Sequence, residues 1–255
     1  MEAKVISFGI QKGGVGKTTT TCITSFILSR DYKVLAIDMD SQGNLTDILT
    51  RRDIYQFEDK TVLDAINDED ASPYIVEVTP NLHVLPADDL LATMDRRMNN
   101  AADRFLKVIA KLRNNYDFIL IDCPPNLGSQ TTISLLACDY SLILLQSEPL
   151  CFKALDRYLK LLETVKLNGN PKLNVLGILT TMLDSRAALD STIIEQARED
   201  YEEWVFNVTI KRRAKLKEFT ITGISDATSE DRKALQLYEE FVKEMLIRCE
   251  QAQPV

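Results

Sequence analysis

The chain opens on a short apolar stretch, Val5, Ile6, Phe8 and Ile10, that reads as a buried strand, and the segment 18–30 that follows has helical character. Further strand-like runs fall at 33–38, 81–86, 118–122, 141–146, 173–181 and 204–210, with helix-period segments between most of them. Several of these runs (FILI, LILL, VLGIL) are apolar at consecutive positions, so both faces of the strand must be covered. Strands that alternate with helices and are apolar on both faces predict an α/β fold: a single doubly wound, mainly parallel sheet with helices on both faces. Ligands then collect at the carboxyl ends of the strands. The loosest stretch is 51–100, polar and broken by Pro73 and Pro80, and it reads as an elaboration between strands. With no internal repeat and no Pro/Gly-rich boundary, the expectation is one domain over 1–255, closed by a packing helix at about 229–249.

Three motifs stand where predicted strands end. In Lys12-Gly13-Gly14-Val15-Gly16-Lys17-Thr18-Thr19, the glycines lie at a strand-to-helix turn, where backbone N–H groups can converge on phosphate oxygens beside a helix N-terminus. Lys17 is then placed to reach the β and γ phosphates, and the Thr18 hydroxyl to hold Mg²⁺. The common phosphate-loop spacing is not met, because Gln11 stands where the first glycine belongs and a second lysine, Lys12, precedes the glycines. In Asp38-Met39-Asp40-Ser41-Gln42-Gly43-Asn44, two carboxylates two apart share one strand face, so one can serve the metal shell while the other holds a water. A simpler role for Asp40 and Asn44 is to cap the helix that begins near Leu45. In Phe118-Ile119-Leu120-Ile121-Asp122-Cys123-Pro124-Pro125, an apolar strand ends in an aspartate that can hold a water on Mg²⁺, and the prolines stop the strand.

Together these motifs resemble those of the ParA/MinD/nitrogenase iron protein group of ATPases, the P-loop NTPases with a deviant Walker A motif, and the resemblance extends over essentially the whole chain. It implies that ATP and Mg²⁺ are bound, with Gly13, Gly14, Val15, Gly16, Lys17, Thr18 and Thr19 around the phosphates. Thr18 and, through water, Asp122 would serve the metal, with Asp38 a second candidate for its water shell. Asp40 would position the attacking water, and Lys12 would reach across a homodimer to the partner's nucleotide. Within the group, the segment 179–186, with Arg186, and the segment 210–218 look like stretches of the ParA/Soj branch. Lys211 and Arg213 depart there from a proline and an asparagine, which puts a role in contacting adenine in doubt. The ParA/Soj likeness implies slow hydrolysis stimulated by a ParB-like centromere-binding or adaptor protein, non-specific binding of double-stranded DNA, and an output in DNA segregation or cargo positioning.

Charge sharpens the DNA expectation. The chain carries 30 Lys and Arg against 38 Asp and Glu, a net charge of −8, yet Lys211, Arg212, Arg213, Lys215 and Lys217 fall within seven residues. Such a run is either a solvated helix face or a footprint for a phosphate backbone. With Arg186, these five form the candidate DNA-binding set. An acidic body repels DNA unless dimerisation combines two such patches, which offers a basis for nucleotide-dependent binding. Membrane attachment, the MinD-like alternative, calls for a cationic amphipathic helix. The C-terminal stripe of Ala234, Leu237, Tyr238, Phe241, Val242, Met245 and Leu246 instead faces Glu239, Glu240, Glu244 and Glu250, so a core-packing helix and no membrane partner are expected. No apolar run approaches the ~20 residues of a membrane span, and the first strand begins too early to leave room for a signal peptide, so a cytoplasmic protein is expected, nucleoid-associated when ATP-bound. For the same reason no helix-turn-helix is expected ahead of that strand. Cys22, Cys123, Cys138, Cys151 and Cys249 are scattered without a C-x-x-C pair, which speaks against disulfides, zinc or a shared iron-sulfur cluster. A lone histidine, His83, in an apolar run leaves the chemistry to carboxylates, lysines and a metal-nucleotide.

Overall fold

Eight strands form one sheet in the computed structural model, which describes residues 2–146, 148, 151–183 and 188–251. They are β1 (Lys4–Gly9), β2 (Val34–Asp38), β3 (Val76–Thr79), β4 (Leu82–Leu85), β5 (Phe118–Asp122), β6 (Tyr140–Gln146), β7 (Asn174–Leu183) and β8 (Val205–Lys211), in the spatial order β3-β4-β2-β5-β1-β6-β7-β8. All neighbouring pairs are parallel except β3 with β4. The helices of the described residues are α1 (Lys17–Leu28), α2 (Asn44–Thr50), α3 (Val62–Asp68), α4 (Met94–Arg97), α5 (Ala101–Leu112), α6 (Ser129–Ala137), α7 (Cys151–Asn168), α8 (Ala188–Tyr201), α9 (Ala214–Thr222) and α10 (Ser229–Gln251).

The central strands are buried along their length, as their uninterrupted apolar runs require: β2, β5 and β6 have no exposed position. β1 lies between β5 and β6, so the order of connection reverses beside it. That reversal opens the crevice in which open α/β sheets bind ligands, and the glycine-rich turn leaves β1 there. The one strand without a counterpart in the hydrophobic pattern is β3, inside the polar stretch 51–100. Its four residues, VEVT, are half-buried and exposed by turns, the mark of an antiparallel edge.

Helix α10 packs Ala234, Leu235, Tyr238, Phe241, Val242, Met245 and Cys249 into the core, and the Tyr238 hydroxyl meets Thr20 Oγ1 of α1 at 3.2 Å. The same helix closes the edge at β8. Asn207 N donates to both carboxylate oxygens of Glu244 (3.1 and 3.0 Å), while Arg248 donates to the carbonyls of Glu203, Trp204 and Val205 and lies 4.1 Å over the Phe206 ring. From α8, Arg198 Nη2 reaches the Asn207 carbonyl at 3.2 Å. All five cysteines are buried free thiols, and His83 pairs its Nδ1 with the Tyr116 hydroxyl at 2.8 Å, a structural contact remote from the motifs.

Candidate functional site

Parallel register brings the three motifs together. Phe8 of β1 and Asp38 of β2 both stand opposite Asp122 of β5, so the glycine-rich turn and the two aspartate-bearing strand ends emerge side by side. After β1 the backbone turns through Gly14 (φ +76°) and Gly16 (φ +83°), a left-handed region that glycine enters without steric cost. A Cβ built on Gly13 or Gly14 would meet nothing within 4 Å, so these backbones border open space. Gly16 caps α1 with no side-chain acceptor on the first N–H groups, which leaves the helix N-terminus facing the same space.

Side chains converge on this cradle. Lys17 is buried, and its ammonium donates to the Lys12 carbonyl at 2.7 Å. Burial lowers its pKa, and the nearby carboxylates of Asp122 and Asp40 oppose that shift. Thr18 Oγ1 donates to Asp122 Oδ2 at 2.6 Å, and Thr21 Oγ1 to Asp122 Oδ1 at 3.2 Å. Burial, reinforced by Asp38 on the next strand, pushes the Asp122 carboxyl up to about 8. Two buried carboxylates this close favour a cation between their faces and the phosphates, and the available donors, hydroxyl and carboxylate oxygens, are those Mg²⁺ takes. The open cradle, the buried lysine and this oxygen set therefore fit a magnesium-bound nucleotide.

Asp38 and Asp40 divide differently from a simple pair. Asp38 is fully buried, accepting from Asp40 N (3.1 Å) at one oxygen and from Thr46 N (2.9 Å) and Thr46 Oγ1 (2.8 Å) at the other. Burial raises its pKa to about 7. Asp40 instead lines a cleft of about 520 Å³ with Gly13, Lys17, Thr18, Gln42 and Pro125, and its Oδ1 accepts from Gln42 N at 3.1 Å. Asn44 begins α2, with Gly43 as its cap residue.

A second cavity of about 300 Å³ adjoins the cradle, sharing Gly14, Gly16 and Thr19. Its far wall is the basic segment: Ile210, Lys211, Arg212, Arg213, Leu216 and Lys217. The five cations are not equivalent. Lys215 pairs with Glu218 (2.8 Å) and Asp231 (3.0 Å), and Arg213 donates to the Lys233 carbonyl at 2.7 Å. Lys211, Arg212 and Lys217 are exposed. Arg186 lies outside the described residues.

Several contributors were not singled out in the motifs. Glu148 forms an ion pair with Lys12 in the same chain. Thr181 Oγ1 donates to the Val15 carbonyl at 2.7 Å, and Met182 packs where a Cβ on Gly16 would stand, tying β7 to the phosphate loop. Glu148 had a readable signal, as a carboxylate just beyond a buried strand's carboxyl end.

Comparison with known proteins agrees with this geometry. Residues 3–175 match a protein family described as an AAA domain. The chain is 32% identical to the chromosome-partitioning ATPase Soj of Treponema pallidum (strain Nichols) over 253 residues, 96% of this chain and 98% of that protein. It is 34% identical to the sporulation initiation inhibitor protein Soj of Bacillus subtilis (strain 168), covering 84% of this chain and 87% of that protein. Among solved structures, cobyrinic acid a,c-diamide synthase of Mycobacterium smegmatis with bound ADP and magnesium superposes with a TM-score of 0.83 at 28% identity, covering 99% of this chain and 98% of that one.

Proposed function

Because the chain belongs to the ParA/Soj-type family of partition ATPases, we propose that it binds MgATP, closes into a homodimer and then holds double-stranded DNA without sequence preference. Slow hydrolysis, stimulated by a ParB-like partner, releases the DNA. The observation that carries this reading is the shared cavity: the phosphate loop and the exposed cations Lys211, Arg212 and Lys217 are two walls of one space. A nucleotide in the cradle then bears directly on how those cations are presented, and two copies double the patch on an otherwise acidic chain.

The residues take the following parts. Backbone N–H groups from Gly13 to Thr19, with Lys17, hold the phosphates, and Thr18 and Asp122 hold the metal, Asp122 through water. Mg²⁺ held there would neutralise charge on the phosphates. Asp40, in the open cleft, orients the attacking water. Lys12 leaves Glu148 and offers its ammonium to the partner subunit's phosphates, so closure itself adds a cation to the transition state. Asp38 braces the loop through Asp40 N and Thr46, and its place opposite Asp122 keeps it a second candidate for the metal's water shell. Lys215 and Arg213 hold the basic segment in shape, and DNA contact falls to Lys211, Arg212 and Lys217. Action on the nucleoid, in the cytoplasm, follows from this reading. A lipid-binding role has less support: the apolar stripe of α10 is spent on the core, and no helix among the described residues is long and apolar enough to cross a membrane.

The test is anisotropy of a labelled random duplex at low salt with ATP or ADP. ATP-loaded protein should bind, and replacement of Lys211, Arg212 and Lys217 by glutamate should abolish binding at ATP concentrations that a parallel titration shows to saturate each variant. Binding that is absent with ATP, or unchanged by the three reversals, overturns the DNA reading. Lys12→Ala should weaken ATP-dependent dimerisation and hydrolysis, and normal values for both would remove its trans role.

A further inference from the structure

The loop that carries Asp40 is fastened at both ends to a single buried side chain. Asp38 Oδ1 accepts from Asp40 N at 3.1 Å, and Asp38 Oδ2 accepts from Thr46 N at 2.9 Å and Thr46 Oγ1 at 2.8 Å. The Thr46 hydroxyl passes the restraint on, accepting from Ala87 N at 3.0 Å just beyond β4. Asp38, Thr46 and Ala87 are all fully buried, so neither water nor another side chain can take over these bonds cheaply. Inside the ring, Asp40 is set by two short-range bonds only: its Oδ1 accepts from Gln42 N, and its carbonyl from Gly43 N at 2.9 Å.

We propose that Thr46 is a positioning residue for hydrolysis: its hydroxyl clamps Asp38 against β4 and thereby fixes the place of Asp40 in the phosphate cleft. This rests on the reading of Asp40 as the group that orients water. The hydroxyl is the only side-chain group in the clasp that both donates and accepts, donating to Asp38 and accepting from Ala87. Without it, Ala87 N loses its partner, Asp38 Oδ2 keeps only the Thr46 N–H in the first turn of α2, and the side-chain link from Asp38 to the turn beyond β4 is gone. A water-orienting carboxylate tolerates little displacement, because a shift of about 1 Å can cost on the order of a hundredfold in rate. ATP binding uses the other wall, the glycine-rich turn and Lys17, and has no bond to the clasp.

The experiment compares Thr46→Val, Thr46→Ser and Asp40→Ala by phosphate release at varied MgATP, with rates expressed per site titrated by a fluorescent ATP analogue. Thr46→Val should lower kcat about tenfold or more with KM changed less than about twofold, and Thr46→Ser should restore it. A purely structural role would lower the melting temperature and the number of sites but leave the rate per site intact. Wild-type kcat in Thr46→Val, with Asp40→Ala inactive, overturns the positioning role alone. Wild-type turnover in Asp40→Ala overturns the reading of Asp40 beneath it. Should Thr46→Val fail to fold, Thr46→Cys, which has a weak donor in a side chain of similar size, is judged by the same criteria.

Discussion

Removing the charge of Glu148 should make the ATP-bound dimer tighter. In the single chain, Lys12 is held by Glu148, and on the proposed reach to a partner's phosphates it has first to give up that ion pair. The side chains are 24% and 46% exposed, which places the contact among solvent-screened pairs worth about 0–1 kcal/mol each. Each dimer releases two such lysines, so the competing term is about 0–2 kcal/mol, or up to about thirtyfold in the dimer dissociation constant. Glu148→Gln keeps the shape of the side chain and removes its charge. Sedimentation equilibrium with a non-hydrolysable ATP analogue measures the dissociation constant, which should fall at low salt and move back toward wild type near 1 M salt, where the Debye length is about 3 Å. In a Lys12→Ala background the same substitution should have no effect, since nothing is left to release. Weaker dimerisation in Glu148→Gln, or an equal gain without Lys12, would refute the reasoning.

Three further outcomes follow from particular contacts. Gly13→Ala adds a methyl where the free protein has open space, so stability should stay within about 0.5 kcal/mol while ATP affinity drops at least about tenfold; calorimetry with paired thermal melts reads both, and unaltered ATP affinity counts against the cradle. Arg248→Ala removes donors from three consecutive carbonyls together with the stacking on Phe206, and urea unfolding should report a loss of about 2–4 kcal/mol that Arg248→Lys does not recover. The backbone N–H of Thr228 and the Lys215 ammonium hold the Asp231 carboxyl down to about 2, below its ordinary 3.8, so it stabilises the fold above the ordinary value and ceases to as pH falls through about 2. Urea midpoints between pH 5 and 2 should therefore fall less steeply in Asp231→Asn than in wild type, and parallel curves would contradict this.

What could be read from the residues alone depended on how local the cause was. β2, β5 and β6 were visible because burial on both faces writes itself as consecutive apolar residues, and the phosphate loop because glycines and lysines must crowd into one turn. β3 was hidden, as a four-residue edge strand between Pro73 and Pro80 has no more apolar content than a loop. The run 211–217 could be counted as five cations, but which of them are neutralised depends on Asp231 and Glu218, and on how α9 and α10 meet. Thr46 was unreadable for a similar reason. Its sequence neighbours suggest a residue in an ordinary helix, and its partners, Asp38 and Ala87, lie across a loop closure and in the turn beyond β4. The resemblance to an ATPase family compensated where motifs were dense and was least help where single hydrogen bonds decide a side chain's role.

The capped margin of the sheet bears on how copies of this chain can assemble. At β8, Glu244, Arg198 and Arg248 occupy backbone donors and acceptors that an incoming strand would need. At the opposite margin, β3 offers four residues and an irregular register. Neither side is a ready template for continuing the sheet into a neighbouring molecule, so copies at high local concentration are hindered from merging strand to strand. Contacts between copies are left to other faces of the molecule, clear of the sheet's own hydrogen bonds.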